Sequence, residues 1–81
     1  MSFAVRVNVL PKDGVSDPQG QTIERALPAL GFGGVSDVRV GKRIEFSLDA
    51  VDADHAKSQA VEMCEQLLAN TVIEKYEVKV R

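Results

Sequence analysis

The chain has 81 residues, 44% of them hydrophobic and 27% charged, with a formal net charge of −2. That is the composition of one folded domain with no room for a second, and both signs of charge are interspersed along it. There is no basic run with aromatics between, so neither a nucleic acid nor a membrane surface is an expected partner. The single cysteine, Cys64, excludes an intrachain disulfide, and one Cys with one His does not make a metal site. The first residues lack the charged and apolar regions of a signal peptide, and no stretch approaches the length of a membrane span, so a cytoplasmic protein is expected.

Residues 3–10 alternate, with Phe3, Val5, Val7 and Val9 on one face and Ala4, Arg6 and Asn8 on the other, the pattern of a half-buried strand. Pro11 ends it, and Asp13-Gly14 brings turn chemistry. Asp17 then has the character of an N-cap and faces the positive end of a helix dipole, while Pro18 suits the first helical position. The helix is expected over residues 18–30, with Ile23, Ala26, Leu27 and Leu30 as its apolar stripe. Pro28 lacks the N–H that would donate to the Glu24 carbonyl, so the last turn should kink, with Gly31 as the C′ residue.

The glycines of residues 31–34 follow a helix rather than precede one, so they fit neither a dinucleotide fingerprint nor a P-loop. Residues 35–40 predict a second strand, Gly41-Lys42 a tight turn, and residues 43–49 a third strand with Ile44, Phe46 and Leu48 inward, the two strands pairing as an antiparallel hairpin. Asp52 or Asp54 should cap a second helix ending near Leu68 or Ala69. Ala56, Ala60, Met63 and Leu67 form its stripe, and Ala53, Cys64 and Leu68 flank it. Asn70 fits a left-handed C′ position. Residues 71–74 read equally as a turn or a strand start, and Tyr76, Val78 and Val80 alternate in a last strand.

The order is βαββαβ. It implies an α+β, two-layer sandwich of ferredoxin-like form: a four-stranded antiparallel sheet, two helices on one face, and a polar outer face carrying Arg6, Asn8, Arg39, Glu45, Glu77 and Lys79. Open edge strands would suit pairing with another protomer. No set of residues stands out as catalytic. His55 falls in a first helical turn, Cys64 reads as a small core residue, and the carboxylate pairs Asp52/Asp54 and Glu62/Glu65 read as caps and a solvated face. Lys42, at a turn, reads as a charged tip. These residues describe a non-catalytic module.

The stretch Gly14-Val15-Ser16-Asp17-Pro18-Gln19-Gly20 resembles the GVLDPQG segment of PurS, the small subunit of phosphoribosylformylglycinamidine (FGAM) synthase. The likeness continues through Ala26-Leu27, Leu30-Gly31 and Val38-Arg39-Val40-Gly41-Lys42. It resumes in residues 63–70, ending Leu67-Leu68-Ala69-Asn70, and in Val72-Ile73-Glu74-Lys75-Tyr76. Ser16 stands where Leu is usual, Pro28 interrupts the first helix, and Thr71 replaces a common Pro.

The resemblance implies one PurS-like domain over residues 1–81. It implies a role in de novo purine biosynthesis, in an enzyme that turns formylglycinamide ribonucleotide into FGAM using ATP, Mg and glutamine. This chain would bind no cofactor alone and hold no catalytic or metal site. It would form a dimer or tetramer, dock a large synthetase subunit and a glutaminase subunit, and aid ammonia transfer between them. Asp17, Pro18, Gln19, Gly20, Lys42, Asn70 and Glu74 are the expected interface residues, with capping an equal role for Asp17 and Asn70. The fold alone also admits a small dimeric domain that binds an amino acid at residues 31–34, and an enzyme acting through Cys64 is a third reading.

Overall fold

A computed structural model describes all residues, Met1–Arg81. Strand β1 (Ser2–Pro11) leads to helix α1 (Pro18–Ala26) and a 3-10 turn, Pro28–Leu30. Strand β2 (Lys42–Asp49), helix α2 (Ala53–Met63), a π-helical turn (Cys64–Leu68) and strand β3 (Glu74–Val80) complete the chain. The sheet is antiparallel with order β2-β1-β3, so β1 is central; Val7 sits opposite Ile44 on one side and Val78 on the other.

The alternation in β1 is resolved as read: Val5, Val7 and Val9 are buried, and Arg6 and Asn8 lie on the other face. Helix α2 covers them. Ala56 and Ala60 are fully buried and Cys64 extends the same surface, because small side chains let the helix approach β1 and β3 closely. Ile44, Phe46, Leu48, Tyr76, Val78 and Val80 flank this core half-buried. Asp52, not Asp54, is the cap, accepting from the His55 amide at 2.8 Å.

Four expectations are corrected. The sheet has three strands, not four: residues 35–40 form no ladder, and no hairpin turn forms at Gly41-Lys42. The reason is a competition for backbone donors. The amides of Val38 and Val40, which a strand partner would need, donate instead to the Glu24 and Asp17 carboxylates, and Asp37 breaks the extended run at φ 57°. Arg39 therefore lies in this segment and not on the outer face of the sheet.

The second correction concerns α1, which does not share the covered face of the sheet. Its only buried residue is Gly20, and its apolar stripe is open, with Ile23 43% and Leu30 70% exposed. Pro28 interrupts the helix as expected, and Gly31 closes the turn in the left-handed region at φ 96°. The projecting arm makes the chain long, 51 × 25 × 14 Å with a radius of gyration of 16.2 Å. A compact chain of this length would have a radius of about 12 Å.

Third, the end of α2 widens into a π turn in which the Ala69 amide donates to the Cys64 carbonyl, five residues back, at 3.1 Å. One extra residue in a turn rotates the residues after it by about 100°. Leu67 accordingly points outward, 81% exposed, and Leu68 takes the place beside the core. Fourth, Asn70 is not left-handed. Its side chain accepts from the Val72 amide at 3.2 Å, an Asx turn leading into β3, and residues 71–73 are turn.

Candidate functional site

The segment 11–20 folds as it does because every turn in it has a partner elsewhere. Asp17 caps α1 through Oδ1, which accepts from the Gly20 amide at 3.0 Å. Its second oxygen, Oδ2, accepts from the Val40 amide at 2.8 Å, which fastens residues 38–40 to the start of the helix. These two backbone amides, Val40 first, hold the Asp17 carboxyl below the ordinary aspartate value. The Arg39 charge adds a smaller push in the same direction, and desolvation opposes it. One turn further, Glu24 Oε1 accepts from the Val38 amide at 3.0 Å.

Gly20 is required by the same packing, since a Cβ there would strike the Val38 carbonyl and lie 2.6 Å from Asp17 Oδ2. Gly41 is required for a like reason: its Cβ would meet the Val9 carbonyl and lie 2.7 Å from Leu10 Cδ2.

Arg39 closes the other side. Its guanidinium donates to the Pro11 carbonyl, to the Lys12 carbonyl at 2.8 Å and to Asp13 Oδ1 at 3.2 Å. Lys75 Nζ lies 3.6 Å from the same Asp13 oxygen. The Arg39 hydrogen bond, with the Lys75 and Arg39 charges behind it, holds the Asp13 carboxyl below its ordinary value. Three carboxylates and one guanidinium thus tie the exit of β1, the start of α1 and residues 38–40 into one junction.

The expected interface residues gather at this end of the sheet, though not at one spot. Asp17 and Gly20 are inside the junction. Pro18 and Gln19 are exposed and, with Thr22, Ile23 and Val40, line a shallow groove of ≈ 440 Å³. Lys42 is exposed opposite Val9, at the mouth of a second groove of ≈ 650 Å³ that reaches Leu10 and Tyr76. Asn70 and Glu74 form a pair of their own: Glu74 Oε1 accepts from the Asn70 amide at 2.7 Å, and the Glu74 amide donates to the Asn70 carbonyl at 2.7 Å. Glu74 is opposite Pro11, and the Lys12 amide donates to the Ile73 carbonyl at 2.9 Å, so this pair borders the junction.

Sequence reasoning gave the Glu24 side chain no role and placed Arg39 on a sheet face. Their spacing from residues 11–13 and 38 carries no local periodicity that would have found them.

The remaining reactive side chains stand apart from the junction. His55 is exposed in the first turn of α2. The Cys64 thiol is fully buried, and burial, helped by the Glu65 charge, pushes its pKa up, which disfavours the thiolate an acting cysteine needs. The Tyr76 hydroxyl donates to Glu65 Oε2 at 2.6 Å and is pushed up to about 12, first by that hydrogen bond. No group of three or more His, Cys, Asp and Glu is arranged to hold a metal ion. The glycine loop 31–34 builds no cradle: a Cβ on Gly31, Gly33 or Gly34 would meet nothing within 4 Å. No helix is long and apolar enough to cross a membrane.

This junction and its sheet belong to a known kind of protein. Residues 4–81 match the family PurS, phosphoribosylformylglycinamidine (FGAM) synthase. The chain belongs to the PurS family. It is 48% identical over 75 residues to the PurS subunit of Synechocystis sp., covering 93% of this chain and 75% of that one. It is 45% identical over 78 residues to the PurS subunit of Methanocaldococcus jannaschii, covering 96% and 94%. Among solved structures, Bacillus subtilis PurS superposes with a TM-score of 0.86 at 43% identity, covering 98% of each chain. A chain of the Thermotoga maritima PurLQS structure superposes with a TM-score of 0.90 at 34% identity, covering 100% of this chain and 99% of that one. The three-stranded sheet, two helices and projecting arm are therefore those of a PurS fold.

Proposed function

We propose that this chain is the small assembly subunit of FGAM synthase, the enzyme of purine biosynthesis that converts formylglycinamide ribonucleotide to FGAM with ATP and glutamine. The observation that carries the reading is a likeness that runs end to end, through the arm as well as the sheet, to a chain of the PurLQS structure. The chain works as one unit over residues 1–81 in the cytoplasm. It pairs with itself and bridges a large synthetase subunit to a glutaminase subunit, helping ammonia pass from one to the other. ATP, Mg and glutamine serve the complex through those two subunits and not through this chain.

The form of the molecule supports this. Large apolar side chains stand open along the arm and at the junction end of the sheet: Leu10, Ile23, Leu30, Phe32, Val35, Leu67, Val72 and Ile73. Apolar surface on this scale marks a protein that is covered by others when it works. Pro18, Gln19, Lys42 and Glu74 are the residues offered to those partners, while Asp17, Gly20 and Asn70 shape the loops that present them.

Tagged chain purified from its own cells with glutamine and Mg-ADP present should bring down a large synthetase and a glutaminase, identified by mass. Recovery of the tagged chain alone, with both proteins intact in the extract, overturns the reading.

A further inference from the structure

The outer face of the sheet, turned away from α2, holds two like charges in register. Arg6, on the central strand, stands directly opposite Lys79 on β3. Like charges facing each other across a ladder destabilise it, so folding alone does not select such a pair. Arg6 is the less solvated of the two, its side chain 31% exposed against 62% for Lys79, so water screens it less. The acids nearby leave the pair short of negative charge. Glu45 Oε1 lies 3.5 Å from Arg6, but the same oxygen accepts from Arg43 at 2.6 Å, so one carboxylate serves two guanidiniums. Glu77 lies 3.7 Å from Lys79 on its own strand, and the Arg81 guanidinium enters no ion pair.

The register sets these cations around a hollow. Ala4 exchanges both backbone hydrogen bonds with Arg81, at 3.1 and 2.8 Å. Arg6, Ala4, Arg81 and Lys79 therefore mark the corners of one cell of the sheet, about 5 Å across the strands and about 7 Å along them. Three corners are cationic and the fourth is only a methyl group. Ser47 stands beyond Ala4 on β2 and brings a hydroxyl donor. The small side chain leaves a groove of ≈ 540 Å³ that these five residues and Glu45 line. No aromatic ring joins them: Phe3, Phe46 and Tyr76 share the register of Val5 and Val9 on the covered side. A nucleic acid would thus find no stacking platform, and a chain of net charge −2 offers no general attraction for a polyanion.

We propose that this cell binds a phosphate group, either free phosphate or the phosphomonoester end of a small metabolite. The phosphate lies over the Ala4 methyl group. Its oxygens accept from the Arg6 and Arg81 guanidiniums and the Lys79 ammonium, and the Ser47 hydroxyl donates from the other side. A phosphate suits the cell better than a carboxylate does. It brings nearly two charges and three equivalent oxygens to three cations, where a carboxylate brings one charge and two oxygens. Binding turns the repulsion between Arg6 and Lys79 into a shared attraction, so the ligand also stabilises the sheet.

The test titrates the full chain with inorganic phosphate and, separately, with ribose 5-phosphate, at constant pH and ionic strength, and follows the backbone amides by NMR. Saturating shifts should centre on Ala4, Arg6, Ser47, Lys79 and Arg81, and chloride at the same ionic strength should not produce them. Equal affinity for the two probes supports the site as one for free phosphate; tighter binding of ribose 5-phosphate supports it as one for a phosphomonoester. Lys79→Gln should weaken phosphate binding about tenfold or more. The same variant, without ligand, should melt no lower than the parent chain, because the charge opposed to Arg6 is gone. Ala4→Leu, at an exposed position, keeps every charge and fills the hollow, and should weaken binding as much. Arg25→Gln makes the same charge change on α1 and should leave the affinity within about twofold. Shifts that spread to Arg25 and Lys57, no saturation by about 10 mM phosphate, or normal binding in Lys79→Gln or Ala4→Leu overturn the proposal. So does equal affinity for glutarate, which would show attraction to charge alone.

Discussion

The two helices of this chain start alike and live differently. Each is capped by an aspartate that accepts from the amide three residues on: Asp17 from Gly20 at 3.0 Å and Asp52 from His55 at 2.8 Å. Helix α2 then offsets its ordering entropy through contact, setting Ala60, and Cys64 just past its end, into the valine floor of β1. Helix α1 has no such floor. It is held by charge and hydrogen bonds at its first turns, and its apolar side is left for something else to cover. One helix is stabilised by burial within its own chain; the other is stabilised by its tether and keeps its apolar stripe open.

The largest effect expected from this contrast comes from one substitution made twice. Ala60→Glu puts a carboxylate with no partner at a fully buried position, and an uncompensated buried charge costs about 3–5 kcal/mol. A domain of this size has stability of only about 5–10 kcal/mol, so most of the protection of β1 amides from exchange should go. Ala26→Glu is the same change on α1, where the side chain is exposed. The β1 amides should keep their protection there, and the change should appear in sedimentation as lost self-association. Equal loss of protection in the two variants would break the distinction between the helices.

The junction gives an intermediate effect with a defined pH dependence. Asp17 ionises more readily folded than unfolded, because two backbone amides donate to its carboxylate. Its contribution is therefore complete above the ordinary aspartate value of 3.8 and is lost as acid takes the pH down through the lower folded value. Asp17→Asn cannot accept through both terminal atoms, since one is now an NH₂ donor. Keeping the cap leaves the Val40 amide without its acceptor. Exchange at Val40 and at the α1 amides should speed up at neutral pH while α2 is unchanged. The melting temperature should fall by about 4–8 °C, and the acid dependence of arm exchange should flatten. Arm exchange that keeps its acid dependence in the variant would assign that titration to Asp13 instead.

How much of this was legible before the structure depended on the distance over which a signal acts. The alternation of Val5, Val7 and Val9, the cap at Asp17 and the break at Pro28 are local, and each stands where the sequence puts it; of the two caps the sequence offered for α2, Asp52 and Asp54, the structure takes Asp52. The fourth strand failed because its pattern is equally that of an extended segment, and the deciding partners, Asp17 and Glu24, lie 23 and 14 residues away. Leu67 failed because a π turn shifts phase without any marker residue in Cys64–Leu68. The α1 stripe was read with the right spacing but placed on the sheet, whereas the structure leaves it open, since periodicity marks an apolar face and not the surface that covers it. The interface residues came from the likeness to PurS. The structure gives Asp17, Gly20, Asn70 and Glu74 local partners and leaves Pro18, Gln19 and Lys42 facing solvent.

The smallest effect sharpens the account of the covered helix. Tyr76 is the only tyrosine, so the ultraviolet absorbance of phenolate reports it alone. Its hydroxyl donates to Glu65 at 2.6 Å, just past the end of α2; ionising it forfeits that bond, leaves a phenolate in a partly desolvated place and sets it against the Glu65 charge, in that order of weight, so its pKa is pushed up to about 12. A phenol whose folded value is raised contributes stability below its unfolded value near 10, and that contribution is lost as the pH climbs through about 12. Glu65→Ala removes the acceptor and the charge together, so the titration midpoint should move down toward 10 with the fold intact. Tyr76→Phe should remove the titration and leave sedimentation unchanged, because this bond joins β3 to the π turn inside one copy. A midpoint that stays near 12 in Glu65→Ala would mean that burial against the core, and not the carboxylate, holds the proton.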